Sequence, residues 1–338
     1  MTILISKVNQ LGDNVVFLPV VQGLRRLFPQ ARLIVATSPV ARDLYTRCVP
    51  GAEVIMFKTT DFNGAWKRPW KLLPLAWKWR SFRPDAVLVG DDQGNVAHLL
   101  ARASEAGLRI GPRLDLIRAN GLLNHRVPLD LSRHVAEQNW GMARQLAELL
   151  GGTLPEQPPA PDLSGLINPT TPADTDIVIH AGASRAYKRW PLERYAQLAN
   201  TLATSHRVTW IDQGDDHGLQ PAVRRFKQGD LGSFVTLLAG ARLFIGNNSG
   251  PMNIASALGT PSVIFNGPST PNWDPAWHEE HFTLLTDPSL PCQPCDKLTH
   301  PVNACQNLRE PMACMNRWSV EAVAAKALAV LAQDLRRR

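Results

Sequence analysis

Three loops in this chain carry the residue types that chemistry needs. The richest lies within LFIGNNSGPMNIASALGTPSVIFNGPSTPNW, Leu243 to Trp273. An apolar strand runs into the turn Gly246-Asn247-Asn248-Ser249-Gly250, and a helix is predicted to open near Pro251, Met252 and Asn253. Unpaired backbone N–H groups at a helix start, beside small residues that admit close approach, suit a phosphate or diphosphate. Proline in the first helical turn costs no needed donor. The same residues also make a plain, well-capped strand-to-helix turn.

The second loop, HAGASRAYKRW (His180–Trp190), sets small residues up to Ser184 before Arg185, Lys188 and Arg189. A small flexible turn with a basic cluster suits a diphosphate, and equally describes a solvated basic loop. The third, KVNQLGD, runs from Lys7 through Gly12 to Asp13 just ahead of a predicted helix. Asp13 there is a candidate general base. Position alone equally suits a helix-capping acid. Two phosphate-friendly loops and one possible base describe a transferase. No GxGxxG follows the first strand of either half, and neither a Walker A loop nor HExxH occurs.

Short β-rich runs alternating with helical patterns position these loops. Ile3–Ser6, Leu33–Ala36, Glu53–Phe57 and Ala86–Val89 read as strands, with helices predicted over Val15–Phe28, Ala41–Cys48 and Asn95–Ala106. His134–Leu150 is a long helical pattern with Ser132 as its predicted N-cap and Gly151-Gly152 at its end. A second alternation follows. Ile177–His180, Val208–Asp212, Leu243–Gly246 and Ser262–Phe265 read as strands. Leu192–Ser205, Ser233–Gly240, Met252–Leu258 and Glu321–Leu335 read as helices, the last capped by Ser319. This is the pattern of doubly wound parallel sheets. The expected domains are 1–152 and 173–338, joined by a stiff proline-rich linker over 153–172. In such sheets ligands bind beyond the carboxyl ends of the strands, here expected in a cleft between the halves.

The 338 residues suit two domains, and 44% hydrophobic content can fill two cores. A net charge of +7 favours anionic partners such as sugar nucleotides, phosphorylated glycans, nucleic acid or an acidic membrane face. The apolar run Val15–Val21 is too short for a signal peptide, and no stretch nears the roughly 20 apolar residues of a membrane span. A cytoplasmic protein is the expectation. One segment stands apart: WKRPWKLLPLAWKWRSFR, Trp66–Arg83, has four Trp and six basic residues and no acid. It reads as an amphipathic helix burying its Trp residues, as an anionic-membrane or glycolipid contact, or as a single-strand nucleic-acid contact.

Taken in order, several pieces resemble glycosyltransferase family 9, the ADP-heptose:lipopolysaccharide heptosyltransferase type. They are ILISKVNQLGDNVVFLPVVQGLRRLFP, DDQGNVAHLLAR (Asp91–Arg102), RIGPR (Arg109–Arg113), HAGASRAYKRWPLERYAQLA, FIGNNSGPMNIASALGTPSVIFNGPSTPNW and a late CMNRWSVEAV. The resemblance implies a GT-B architecture: two Rossmann-like domains facing a cleft, acceptor on the first and nucleotide-sugar donor on the second. It implies inverting transfer without a catalytic metal or other cofactor, with Asp13 as base and Lys188 near the donor phosphates. The implied donor-binding set is Lys7, Gly12, Ser184, Arg189, Asn247, Asn248, Ser249, Gly250, Pro251, Met252 and Asn253. The implied partners are a nucleotide-diphosphate sugar and a glycan or glycolipid acceptor, with possible peripheral contact at the cytoplasmic face of the inner membrane and no nucleic acid. The chain departs from the family turn by placing Asn248 where an Asp is expected and Asn253 where a His is expected. Those neutral amides keep three alternatives open: another nucleotide sugar, an epimerase or hydrolase, or a silent sugar-nucleotide-binding protein.

Cys292, Cys295, Cys305 and Cys314 cluster late in the chain, beginning as C-x2-C. Four thiolates could hold zinc or iron; two disulfides or free thiols are the rivals. The resemblance implies a structural role that staples a long loop. Cys48 stands alone and reads as a buried small apolar residue.

Overall fold

The computed structural model describes residues 1–65, 68–91, 94–113, 121–169, 174–212, 214, 218–227, 229–297 and 302–337. Trp66, Lys67, Asp92, Gln93, Arg338, residues 170–172 of the expected linker and Ala173 of the expected second domain lie outside them. Two compact units divide the chain, Met1–Gly165 and Leu166–Arg338. The division falls inside the proline-rich stretch. The first part of that stretch packs on the first unit: Leu154 and Leu163 are buried, and Trp140 Nε1 donates to Pro155 O at 2.8 Å.

The first unit runs β1 (Thr2–Lys7), α1 (Leu11–Leu27), β2 (Arg32–Thr37), α2 (Arg42–Cys48), β3 (Glu53–Met56), α3 (Thr59–Gly64), α4 (Pro69–Ser81), β4 (Ala86–Val89), α5 (Gly94–Ala103), β5 (Leu108–Arg113), β6 (His125–Pro128) and α6 (Val135–Leu149). The second runs β7 (Ile177–His180), α7 (Leu192–Leu202), β8 (Val208–Asp212), β9 (Arg224–Lys227), α8 (Leu231–Gly240), β10 (Leu243–Asn247), α9 (Gly250–Leu258), β11 (Ser262–Phe265), β12 (Phe282–Leu285), α10 (Ala313–Asn316) and α11 (Val320–Arg337).

Each unit holds a six-stranded parallel sheet. The first has order β3-β2-β1-β4-β5-β6, and the second reads β9-β8-β7-β10-β11-β12 from its other edge. Counted within each unit, both are 3-2-1-4-5-6, the Rossmann order. Central strands β4, β7, β10 and β11 are buried throughout, because helices cover both faces, and so they read as unbroken apolar runs.

Several helix boundaries differ from the sequence expectation, among them α5, which ends at Ala103, α7, which ends at Leu202, and α9, which starts at Gly250; three further cases have a clear local cause. α1 begins at Leu11 rather than Val15, so Gly12 and Asp13 lie inside its first turn. The reason is local: Asp13 is the third helical residue, and its carboxylate accepts from the backbone N–H of the N-cap Gln10 at 3.2 Å. α6 is capped by His134, whose Nδ1 accepts from Ala136 N at 2.9 Å, while Ser132 bonds Asp130 instead. α8 starts two residues early, at Leu231, because Asp230 caps it through Ser233 N.

Candidate functional site

In both units the strand order reverses between the first and fourth strands, β1 with β4 and β7 with β10. Ligands bind at such switch points, beyond the carboxyl ends of the strands. All three loops singled out from the sequence emerge there.

In the second unit, Asn247 ends β10 and is fully buried. Its Oδ1 accepts from Trp190 N (3.1 Å) and Tyr195 OH (3.0 Å); its Nδ2 donates to Ala181 O (2.8 Å) and Gly182 O (3.3 Å). Those four bonds use the amide's capacity for two donated and two accepted bonds. Asn247 therefore stitches the loop after β7 to the end of β10. The stitch is reinforced by Trp190, whose ring stacks on Phe265 at 4.5 Å and meets Tyr195 edge-on at 4.9 Å. Trp190 Nε1 also donates to Trp318 O at 3.1 Å.

Asn248 is buried too. Its Nδ2 donates to Asn266 Oδ1 (2.5 Å) and to Trp273 O (3.0 Å), and Asn266 Nδ2 donates to Asp274 Oδ1 at 2.8 Å. Burial holds the Asp274 carboxyl above its ordinary range, against the lowering effect of the Asn266 bond. Ser249 is the N-cap of α9, but its hydroxyl donates back to Asn247 O at 3.2 Å and does not cap the helix. Gly250 and Pro251 open the helix half-buried, and Met252 and Asn253 are buried beneath.

The loop after β7 carries the basic cluster. Lys188 closes a short 3-10 turn, and its Nζ lies 2.6 Å from Asp296 Oδ2. Tyr187 OH donates to Asp296 Oδ2 (3.3 Å) or to Val302 O (2.8 Å), and Val302 N donates to Asp296 Oδ1 (3.3 Å). Burial, then the Asp296 charge, pushes the Tyr187 hydroxyl up to about 12. Arg189 donates through Nε and Nη2 to Ala183 O, curling the loop around the exposed Ser184.

Asp296 directly follows Cys295, so the cysteine loop and the Lys188 loop are fastened together. Cys292, Cys295, Cys305 and Cys314 line one small pocket with Tyr187 and Asn307. None is in a disulfide. Burial first, then the neighbouring cysteines, raises the thiol of Cys295 and pushes that of Cys314 up to about 11. Cys48 is buried on α2 of the first unit.

In the first unit, Asp13 sits half-buried at the start of α1. Beneath it is a polar network. Asn14 Nδ2 donates to Asn9 O (3.1 Å) and Gln10 O (2.8 Å), and its Oδ1 accepts from Thr37 Oγ1 (3.0 Å) and Tyr45 OH (2.9 Å). Lys7, expected with the donor set, is fully buried, with its ammonium 2.6 Å from Asp91 Oδ1. It supports the loop from beneath. Lys7 and Gly12 belong to the first unit, and the rest of the expected donor set to the second.

Asp91, Asn266, Asp274 and Asp296 were not singled out by the sequence reading. Asp91 had a usable signal, since it follows the apolar run Ala86–Val89 and so ends a central strand. Nothing in the sequence pairs Lys188 with Asp296, 108 positions away.

The profile described as glycosyltransferase family 9 (heptosyltransferase) matches residues 78–305, more than half of the chain. The chain belongs to glycosyltransferase family 9. It is a glycosyltransferase of the heptosyltransferase type. It is 27% identical to lipopolysaccharide heptosyltransferase 1 of Pseudomonas aeruginosa, over 98% of each chain. Its fold is similar to that of E. coli ADP-heptose lps heptosyltransferase II, with TM-score 0.73 and 21% identity over 99% of each chain. It is also similar to the iron-containing dodecameric glycosyltransferase TibC of enterotoxigenic E. coli, with TM-score 0.63 and 18% identity over 100% of this chain and 80% of that one. The two Rossmann-type units are those of a GT-B family member.

Proposed function

We propose that this family 9 enzyme transfers a heptose from ADP-heptose onto the core of lipopolysaccharide or a related glycan, by single displacement with inversion and no catalytic metal. The relatives' names supply the donor and acceptor. The observation carrying the mechanism is the pairing of chemistries at the two switch points: a carboxylate held at the start of α1 and a cationic loop beside the start of α9.

Asp13 takes the proton of the acceptor hydroxyl as its oxygen attacks the anomeric carbon. The backbone bond from Gln10 N holds one carboxylate oxygen and fixes the orientation of the other. ADP leaves with growing negative charge. Lys188 and the Ser249 and Gly250 N–H groups stabilise that charge, with Arg189, Ser184, Asn248 and Asn253 shaping the donor pocket. Asn247 acts from beneath, as a stitch. Because Lys188 rests on Asp296, the incoming diphosphate competes with that carboxylate for the ammonium.

Calorimetric titration with ADP, UDP and GDP tests the donor side. ADP is expected to bind tightest, and Lys188→Ala to weaken it about tenfold, the loss of one charge-assisted contact. Preference for UDP or GDP would replace the donor, with Asn248 and Asn253 as the residues to exchange. No binding of any of the three would sink the transferase reading.

The four late cysteines are proposed to hold a structural zinc or iron ion. Their convergence on one pocket, without disulfides, supports this, and TibC is described as iron-containing. Such a site clamps the loop that carries Asp296 and supplies no open coordination position.

The acceptor side is proposed to rest on the cytoplasmic face of the inner membrane through α4. Among the described residues no helix is long and apolar enough to cross a membrane. Among the described residues the expectation that the Trp residues are buried holds for Trp79 and fails for Trp70 and Trp77; Trp66 lies outside them. Trp70 (66% exposed), Leu73 (73%) and Trp77 (74%) form an outward stripe, with Lys71, Lys78 and Arg80 on the same short helix. A basic helix with outward Trp suits the lipid interface. Trp70→Ser with Trp77→Ser is expected to abolish co-sedimentation with anionic vesicles while leaving the fold intact. Unchanged co-sedimentation would return α4 to a solvent role.

A further inference from the structure

A second group of metal-ligating side chains lies in the connection from β11 to β12, sharing no residue with the four cysteines. The connection is pinned to α9 just before this group. Trp277 N donates to Ser256 Oγ (3.0 Å), and that hydroxyl donates to Trp277 O (2.8 Å). His278 follows with φ +56°, opening a one-turn 3-10 helix, Glu279–His281. In a 3-10 turn the side chains at i and i+3 eclipse. The rings of His278 and His281 accordingly stack, with centroids 5.6 Å apart and planes within 13°.

We infer that His278, Glu280 and His281 form a binding site for a divalent transition-metal ion of the zinc class. One ligand atom from each residue lies within 4.8 Å of the others. His281 Nε2 is already 3.7 Å from Glu280 Oε1. Metal–ligand bonds of about 2.0–2.1 Å in a tetrahedron place neighbouring ligands about 3.3 Å apart. The remaining closure is a small rotation of side chains that are exposed at His278 and Glu280.

Three independent features favour a cation here. First, His281 Nδ1 lies 2.7 Å from Gly259 O, a contact in which Nδ1–H donates, so Nε2, 3.7 Å from Glu280 Oε1, is the nitrogen available to a metal. A backbone carbonyl on the far nitrogen is the usual support of a metal-ligating histidine. Second, Gly259 is the C-cap of α9, and a helix C-terminus carries partial negative charge. Third, the site is close-built. Gly259 has φ +69°, and a Cβ there would sit 3.3 Å from the His278 ring, so the glycine both ends the helix and admits the imidazole. Two imidazoles and one carboxylate are the donor set of zinc sites that leave a fourth position for water or a partner's side chain.

The site is at the opposite end of α9 from the donor turn. Nine residues at 1.5 Å each separate the two by about 13 Å. A metal there fixes the 278–281 turn, and His281 carries that constraint to the end of α9 through its bond to Gly259 O.

The test uses the purified full chain, stripped of metal and titrated with Zn2+ by calorimetry, then with Co2+ by absorption spectroscopy. Glu280→Gln keeps the His281–Gly259 bond and the fold. It is expected to weaken one class of Zn2+ site by more than the roughly 10–100-fold that losing an outer-shell partner costs. His281→Ala is expected to remove one Zn2+ equivalent. In both variants the thiolate-to-cobalt charge-transfer absorption of the cysteine group stays as in the parent. Unchanged Zn2+ stoichiometry and affinity in Glu280→Gln would overturn the inference.

Discussion

The two switch points share one topology and are fastened in opposite ways. In the first unit the ends of β1 and β4 are joined by a buried ion pair, Lys7 with Asp91. In the second, the ends of β7 and β10 are joined by one neutral side chain, Asn247, with four hydrogen bonds. The difference follows the ligand each crevice is proposed to meet. A neutral amide beneath the donor turn adds no charge to the field that a diphosphate enters. Beneath Asp13 the fastening is a cation and a carboxylate only 2.6 Å apart, so the two charges largely offset each other.

Breaking each fastening separately sharpens the contrast. Asp91→Asn removes the carboxylate 2.6 Å from the buried Lys7 ammonium and is expected to cost about 3–5 kcal/mol of stability. Lys7→Met with Asp91→Leu is expected to restore most of it, because removing both charges removes the desolvation cost as well. Asn247→Ala strands several buried polar groups and is expected to cost about 3 kcal/mol. No double variant rescues it, since its four partners are backbone groups and a tyrosine. Denaturant unfolding measures all three. A fully stable Asp91→Asn would show that water or another group satisfies Lys7.

A smaller effect is shared by the two units and depends on pH. His98 on α5 is fully buried, and neither ring nitrogen has a hydrogen-bond partner among the described residues. Burial lowers its ring to about 4. His180, at the end of β7, is likewise lowered to about 4 by burial. Each is neutral when folded and ordinary, near 6.5, when unfolded. The unfolded chain therefore binds more protons between those values, and stability falls as pH drops from 6.5 toward 4. At pH 5.5 each histidine accounts for about 1.4 kcal/mol of that loss. His98→Leu is expected to lose that much less than the parent between pH 7.5 and 5.5. An equal loss in both would mean that His98 keeps an ordinary affinity for protons.

The sequence exposed the interior of both sheets well. Strands buried on both faces, such as Ala86–Val89 and Leu243–Asn247, read directly as apolar runs. β6 (HRVP) and β9 (RRFK) did not, because edge strands carry charge and proline that blunt further pairing. The candidate site was legible where chemistry is local. The segments that carry Asp13, Lys188 and the 247–250 turn follow strands that periodicity locates, while the roles expected of Asp13 and Lys188 came from the family resemblance. Its supports were not read: Asp296 and Asn266 act through contacts between loops, and Asp91, although it follows an apolar strand, meets Lys7 only across the sheet. Asn247 was read as a ligand-binding residue, yet its bonds to Trp190, Tyr195, Ala181 and Gly182 make it structural. No pattern of neighbours in sequence distinguishes those two uses of an asparagine.

The central claim is that Asp13 is the base of a heptosyl transfer. Its most direct test is single-turnover transfer from ADP-heptose to a delipidated core acceptor, comparing the parent chain with Asp13→Asn, alongside ADP binding. Asparagine keeps the shape and a carbonyl oxygen to accept from Gln10 N. A fall in rate of about 10²–10⁴ with ADP affinity unchanged is the predicted result. Transfer by Asp13→Asn at nearly the parent rate would contradict the account.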